Sequence, residues 1–290
     1  NQYKESLKYI EDALQNYPYS SMLYRLKGEA LLHLNDKDGA LYNYKKALEF
    51  NSNNRSLRQK ISDLTNEKDV IESHTTKDVY SYIRLNRNKD IPNNYGFNIL
   101  LDEAVTLLYP ESGGKSKYTF LYEITADSGV ENFKEYDLGL TAGYNILKSE
   151  IVKPDGSLTP AEKSGSNFVF NSLSVGDVIY ISYESYFGGS GRFYKDFVDY
   201  YQFDSFHPCL KTSYTLIAPD KKKINYKVTN GELKFEQKTE KDQKIFTWSL
   251  DNLNTLSQQE YFMPQDVDIA RYLHISTIES WNDIAFWYSD

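Results

Sequence analysis

Residues 222–250 read KKINYKVTNGELKFEQKTEKDQKIFTWSL. Two runs, Ile224–Thr229 and Glu232–Thr239, alternate apolar and polar side chains, the pattern of a half-buried strand. Between them stands Asn230-Gly231, and both residues accept the positive φ that a two-residue hairpin turn demands. Lys241-Asp242 then reverses the chain into Ile245–Leu250, so the spacing predicts a three-strand meander. Short strands punctuated by sharp turns build antiparallel sheet rather than strand-helix-strand units.

The same pattern extends outward. Ile99, Leu101 and Val105 lead into Tyr109-Pro110, and Glu111-Ser112-Gly113-Gly114 turns the chain back into alternating Tyr118, Phe120, Tyr122 and Ile124. Residues 178–187 form another apolar strand, and Lys153-Pro154-Asp155-Gly156 marks a tight turn. A content of 26 Tyr and 15 Phe fits half-buried strands. A short helix over Asp78–Leu85 precedes them, and helical periodicity returns at Ser280–Tyr288 with Trp281, Ile284, Ala285 and Trp287. Residues 71–278 are therefore expected to form a mainly antiparallel β-sandwich, and residues 279–290 a short C-terminal helix.

Residues 1–70 follow a different period. Leu7, Ile10, Ala13 and Leu14 line one helical face, and Pro18 ends it. Leu23, Leu26, Ala30, Leu31 and Leu34 line a second face, followed by the polar turn Asn35–Gly39. Ala40, Leu41, Tyr44, Ala47 and Leu48 line a third, and Leu57, Ile61 and Leu64 a fourth. Charge divides at the same point, with net +1 over residues 1–70 and net −9 over 71–290. The expectation is α + β in two domains.

A formal charge of −8 over 290 residues argues against a nucleic-acid or anionic-membrane surface, which needs clustered Lys and Arg. The sequence has no run of about 18 apolar residues, so no transmembrane segment is expected. Cys209 is the sole cysteine, which excludes an internal disulfide and a Cys-rich zinc site. Asn1 follows no methionine or basic-then-apolar leader, and the chain reads as an internal stretch of a longer protein.

Residues 21–54 resemble a complete 34-residue tetratricopeptide repeat. Tyr24, Gly28, Ala40, Tyr44 and Ala47 stand at its signature positions, and Ser52 replaces the usual proline. Residues 5–18 resemble the second half of a preceding repeat, with Ala13 and Pro18 in register, and residues 55–66 a closing half. The resemblance implies a protein partner held by the helical repeats. Residues 75–290 resemble the bacterial domain of unknown function found directly upstream of transglutaminase-like domains in exported proteins. The carriers are Lys153-Pro154-Asp155-Gly156, Phe170 with Leu173, Val175-Gly176-Asp177-Val178-Ile179, Trp248, Glu260 with Met263-Pro264, and the run from Ile275-Ser276-Thr277 through Ser280-Trp281 to Trp287-Tyr288. That resemblance implies an accessory module of the periplasm or cell surface, with residues 279–290 as the helical lead-in to a downstream domain and no reaction assigned.

Several residue groups invite chemical readings. Cys209 with His207 and Asp204 has the composition of a cysteine-hydrolase site, yet His207 and Cys209 lie two apart, running into a strand. A buried cysteine is the expected reading. Gly114-Lys115-Ser116 imitates a phosphate loop, but Tyr109 occupies the position of the required first glycine. Gly188-Gly189-Ser190-Gly191 reads as a flexible turn. Asp266, Asp268 and Glu260 lack the spacing of a calcium loop, and His33, His74, His207 and His274 lack metal-ligand spacing. No metal, cofactor or catalytic constellation is therefore expected.

The aromatic stretch Phe193, Tyr194, Phe197, Tyr200, Tyr201, Phe203 and Phe206 reads as core for the most part, with some tyrosines outside that could stack on a cell-envelope glycan. The expected function is a non-catalytic interaction module whose repeats bind a protein and whose β-sandwich positions a downstream transglutaminase-like domain. The alternatives are a carbohydrate-binding module and a hydrolase acting through Cys209.

Overall fold

The computed structural model describes residues 2–66, 69–88, 95–188, 194–253, 255–256 and 262–289. The chain divides into two units, one of residues 1–69, 109–113 and 187–195 and a larger one holding the remainder. The layout is α + β, with helices first, then large, mostly antiparallel sheets and a short C-terminal helix.

The smaller unit contains α1 (Gln2–Asn16), α2 (Ser21–His33), α3 (Lys37–Phe50) and α4 (Arg55–Thr65). Side-chain oxygens close three of the helix starts: Ser20 accepts from the Leu23 N–H at 3.3 Å, Asp36 from Gly39 at 2.9 Å and Asn54 from Leu57 at 3.1 Å. Ala40, Tyr44, Ala47, Leu48 and Leu57 form the core, packed by Tyr24, Leu31 and Ile61. Gly28 admits the buried Tyr44 ring, since a Cβ there would stand 2.5 Å from it. Within the same unit the Arg58 guanidinium lies 3.5 Å from the Tyr109 ring centroid and 3.3 Å from the Glu111 carboxylate.

The larger unit opens with α5 (Val70–His74) and α6 (Val79–Asn86), the latter capped by Asp78. The elements that follow are β1 (Phe97–Leu108), β2 (Gly114–Ile124), α7 (Asp127–Lys134), β3 (Glu135–Asp137), β4 (Tyr144–Val152), β5 (Leu158–Pro160), β6 (Glu162–Ser164), β7 (Asn167–Val169) and β8 (Val178–Phe187). Then come β9 (Val198–Gln202), β10 (Cys209–Pro219), β11 (Asn225–Thr229), β12 (Lys234–Glu240), β13 (Gln243–Leu253), α8 (Asp266–Ile269), β14 (Tyr272–Ser276) and α9 (Trp281–Ser289).

Eight strands form one sheet in the order β12-β13-β10-β1-β2-β8-β4-β5. β1 and β10 run parallel, whereas β1–β2, β10–β13, β12–β13, β4–β8 and β4–β5 are antiparallel. Period-two alternation on β2 and β8 sends side chains to two separate cores. On one face Leu121, Val178 and Tyr180 pack with Val79 and Ile83 of α6. On the other, Tyr118, Phe120, Tyr122, Ile179, Ile181 and Tyr183 pack with Phe133 of α7 and Phe168 of β7. Two three-stranded sheets, β11-β14-β9 and β3-β7-β6, complete the unit.

The meander expected over 222–250 forms only in part. Lys241-Asp242 joins β12 to β13, and Lys241 has φ 54°. Asn230 and Gly231 do take positive φ, 59° and 148°, but they do not join a hairpin. β11 pairs with β14, and β12 pairs with β13. The Asn230 amide instead donates to the carbonyls of Val267 (2.9 Å) and Ala270 (2.7 Å), anchoring the chain as it passes between layers. Tyr226 of β11 consequently lies over Trp248 of β13, with ring centroids 5.1 Å apart. Trp248 is fully buried by this packing of one sheet on another.

Candidate functional site

The Cys209, His207 and Asp204 group does not assemble. The Cys209 sulfur is buried 3.2 Å from the Thr212 hydroxyl, and burial pushes its thiol up to about 12. The His207 ring stacks on Phe97 at 4.1 Å, and burial lowers its pKa. Asp204 is committed to Arg271, accepting from Nη2 at 2.6 Å, from Nε at 2.9 Å and from the Arg271 backbone N–H at 2.7 Å.

The other sequence candidates are likewise dispersed. Gly114-Lys115-Ser116 begins β2, where Lys115 lies 3.3 Å from Glu184 and Ser116 bonds Thr106 at 2.8 Å. Asp266 and Asp268 sit in the single turn of α8. His33 stacks on Tyr3, His74 faces Glu240 at 3.8 Å, and His274 lies in β14. Among the described residues no three His, Cys, Asp or Glu side chains form a group able to hold a metal ion. Glu260, Gly189-Ser190-Gly191 and Phe193 lie outside the described residues. Of the aromatic stretch, Phe203 is buried, Phe197, Tyr201 and Phe206 are half-buried, and Tyr194 and Tyr200 are exposed.

Two of the family-like motifs meet and serve the fold. Lys153 donates to the Asp177 carboxylate at 2.7 Å and to the Ser172 carbonyl at 2.6 Å. Asp177 also accepts from the Ser174 N–H at 2.8 Å, and Arg87 bonds the carbonyls of Lys153 and Gly176. The Lys-Pro-Asp-Gly turn is thereby clasped to the Val-Gly-Asp turn.

A different group has the character of a binding site. Asp102 stands in the middle of β1, with Phe120 of β2 and Thr212 of β10 as register partners. Partners in register share a face of the sheet, and so do residues two positions along. Asp102 therefore lies among Tyr118, Phe120 and Tyr122. Tyr118 stacks on Tyr183 of β8 at 4.8 Å, and Tyr122 meets Phe133 at 4.8 Å. From β9, the Tyr201 hydroxyl donates to Asp102 Oδ1, and its ring lies 5.0 Å from that of Tyr214. The Tyr214 hydroxyl donates to Asp199 Oδ2 at 2.7 Å.

The electrostatics of this face are one-sided. Burial raises the Asp102 carboxyl to about 6, opposed by the bond from Tyr201. Burial also raises Asp199 and carries Tyr122, Tyr201 and Tyr214 well above the ordinary phenol range. Among the described residues no Lys, Arg or His pairs with Asp102 or Asp199. Ile99, Asp102, Tyr118, Phe120, Tyr136, Asp199 and Tyr201 are all half-buried, so the aromatic face retains solvent-facing surface. Sequence reading passed over Asp102. Its signal is the acidic pair Asp102-Glu103 set between the apolar Ile99-Leu100-Leu101 and Ala104-Val105, where a charge without a partner is rare.

Residues 165–256 match the family model of DUF3857, a domain of unknown function. The matched span runs from the residue before Ser166 through β7, β8, β9, β10, β11, β12 and β13, so it carries Tyr183, Asp199, Tyr201 and Tyr214 but not Asp102. No curated protein sequence matches the chain. Among solved structures, the chain is similar to a protein of Parabacteroides distasonis described as a candidate protease, with TM-score 0.55 and 14% identity over 64% of this chain and 41% of that one. It is also aligned with an M1 zinc metallopeptidase of Deinococcus radiodurans at TM-score 0.34 and 8% identity, covering 62% of this chain and 42% of that one. The first likeness is one of fold, and the chain spans about two fifths of the length of these structures.

Proposed function

We propose that this chain is a non-catalytic interaction module of a larger bacterial envelope protein. In this reading the helical unit is a tetratricopeptide-like array that binds a protein partner. The sheets position a downstream transglutaminase-like domain in the periplasm or at the cell surface. The observation that carries the reading is the placement of large apolar side chains on the outside of the helical unit and of α9. Tyr9, Tyr17, Tyr19, Met22 and Tyr42 are 61–77% exposed in the helical unit, and Trp281, Phe286 and Tyr288 are 67–83% exposed on α9. Trp281 and Tyr288 stand seven positions apart, on one side of α9, and contiguous exposed apolar surface marks a site that another protein covers. The buried Cys209 thiol weighs against the hydrolase alternative.

Reading the source gene on the 3′ side of the Asp290 codon tests the positioning role. A continuous frame into a domain bearing Cys, His and Asp is expected, and a stop codon there overturns it. If the frame continues, replacing Trp281, Phe286 and Tyr288 together by Ala in the whole protein should separate the thermal transitions of the two domains. One shared transition in the variant would also overturn the role.

A second reading, a carbohydrate-binding module, rests on Tyr200. Its ring is 69% exposed and lies 6.3 Å from that of Tyr272. Titration calorimetry against cell-envelope glycans tests it, with saturable heat that Tyr200→Ala abolishes as the expected result.

A further inference from the structure

We propose that the face built around Asp102, Tyr118, Phe120 and Tyr201 is a recognition site for an organic cation, an alkylammonium or guanidinium group as carried by lysine and arginine. This goes beyond the interaction-module reading and stands whether or not a catalytic domain follows. Asp102 uses Oδ1 to accept from Tyr201, while Oδ2 has no hydrogen-bond partner among the described residues. A half-buried carboxylate that has lost part of its hydration and has no counter-ion gains when a cation pairs with it. Among the described residues no cation is bonded to this carboxyl, and its charge acts on phenols and one thiol. These are Tyr118, Tyr122, Tyr136 and Tyr183 on one side, and Tyr201 and Cys209 on the other. Asp199 adds a second negative group from β9.

The rings supply the remainder of the site. Tyr118, Phe120 and Tyr183 have centroids 4.8–6.4 Å apart on the face that Asp102 shares. Ring faces attract a cation within about 6 Å and offer apolar surface to the methylenes that carry it. A neutral sugar would satisfy the hydroxyls but leave the carboxylate uncompensated. A cation answers both the charge and the rings. Residues 71–290, which include the whole of this face, carry a net charge of −9, and an acidic surround draws cationic ligands.

The test is titration calorimetry at neutral pH with the whole 290-residue chain. The probes are the Nα-acetyl methylamides of lysine and arginine, their uncharged counterparts norleucine and citrulline, and chitotriose. Butylammonium serves as a free amine, so that its binding without that of the amides assigns the site to small amines rather than peptide side chains. The expected result is saturable binding of a cationic probe and none of the uncharged ones. Asp102→Asn, which keeps the shape and the Tyr201 bond, should weaken that binding by about tenfold or more, and Tyr118→Leu should weaken it severalfold. Circular dichroism confirms that each variant is folded, and Tyr118→Leu decides if Asp102→Asn is not. The proposal is overturned by equal binding of citrulline and arginine probes, by cation binding that the readable variants leave unchanged, by chitotriose binding lost in Asp102→Asn, or by no binding of any cationic probe up to about 10 mM, beyond the weakest recognition worth the name.

Discussion

Asp204 and Arg271 face each other fork to fork, with Nη2 to Oδ1 at 2.6 Å and Nε to Oδ2 at 2.9 Å. The Arg271 backbone N–H adds a third bond to the carboxylate, and the Phe203 N–H donates to the Arg271 carbonyl at 2.9 Å. The end of β9 is thus bound to the start of β14 by side chain and backbone together. Asp204 is buried, with 6% of its side chain exposed, against 27% for Arg271. Removing one partner of such a pair leaves the other charge uncompensated. Asp204→Ala is therefore expected to cost about 3 kcal/mol, read from the urea midpoint. Arg271→Lys should recover little of it, because an ammonium has no fork to match the carboxylate.

Gly28 sits inside a helix, where Ala would ordinarily gain up to about 1 kcal/mol. Here the added methyl would stand 2.5 Å from the Tyr44 ring and 3.1 Å from the Ala40 carbonyl, and Tyr44 is fully buried. Overpacking against a ring that has no room to move costs about 1–3 kcal/mol. Gly28→Ala should thus lower the melting temperature, and Gly28→Ala with Tyr44→Leu should recover part of the loss.

The two-part layout was legible because each part keeps one period: Ala40, Tyr44, Ala47 and Leu48 at helical steps, and Tyr118, Phe120 and Tyr122 at steps of two. Local turn chemistry was legible too, as Asn230 and Gly231 adopt the positive φ that their identities allow. Partner choice was not. Whether β11 pairs with β12 or with β14 depends on Asn230 reaching Val267 and Ala270 and on Tyr226 finding Trp248, contacts between residues 22 to 40 positions apart. The candidate site was hidden for the same reason. Asp102 and Tyr201 are 99 residues apart, so the bond between them has no local trace. The Cys209, His207 and Asp204 cluster was tempting because it is local, and the fold distributes its members among other partners.

The Asp102 carboxyl has a sign that stability measurements can read. Its folded value near 6 lies above the ordinary 3.8, so between these the folded chain holds a proton that the unfolded chain releases. Stability is therefore greatest below about 4 for this group and falls as pH rises toward 6, by at most about 3 kcal/mol. Glu103, Glu123 and Asp199 are also raised by burial and slope the same way, so the difference between the wild type and Asp102→Asn isolates the one group. Urea unfolding between pH 4 and 7 should show a flatter profile for Asp102→Asn, and parallel profiles would contradict the assignment.

Cys209 gives a chemical measure of how closed this part of the fold is. Cys209 is 2% exposed at the start of β10, where the strand is held between β1 and β13. Burial raises the thiol to about 12, so at pH 8 the folded protein offers almost no thiolate. The nucleophile in alkylation is the thiolate, so iodoacetamide should react with native protein far more slowly than with protein unfolded in urea. The native rate should track global unfolding and fall when the fold is stabilised, because the Cys209 strand opens only when the sheet does. Cys209→Ala should leave any turnover of the longer protein unchanged while costing about 1 kcal/mol of stability for the lost sulfur contacts. Native labelling as fast as that of the unfolded chain, or loss of turnover in a folded Cys209→Ala protein, would return the residue to the list of nucleophiles. The Thr212 hydroxyl at 3.2 Å offers no base to activate it, and His207, stacked on Phe97, is held to another partner.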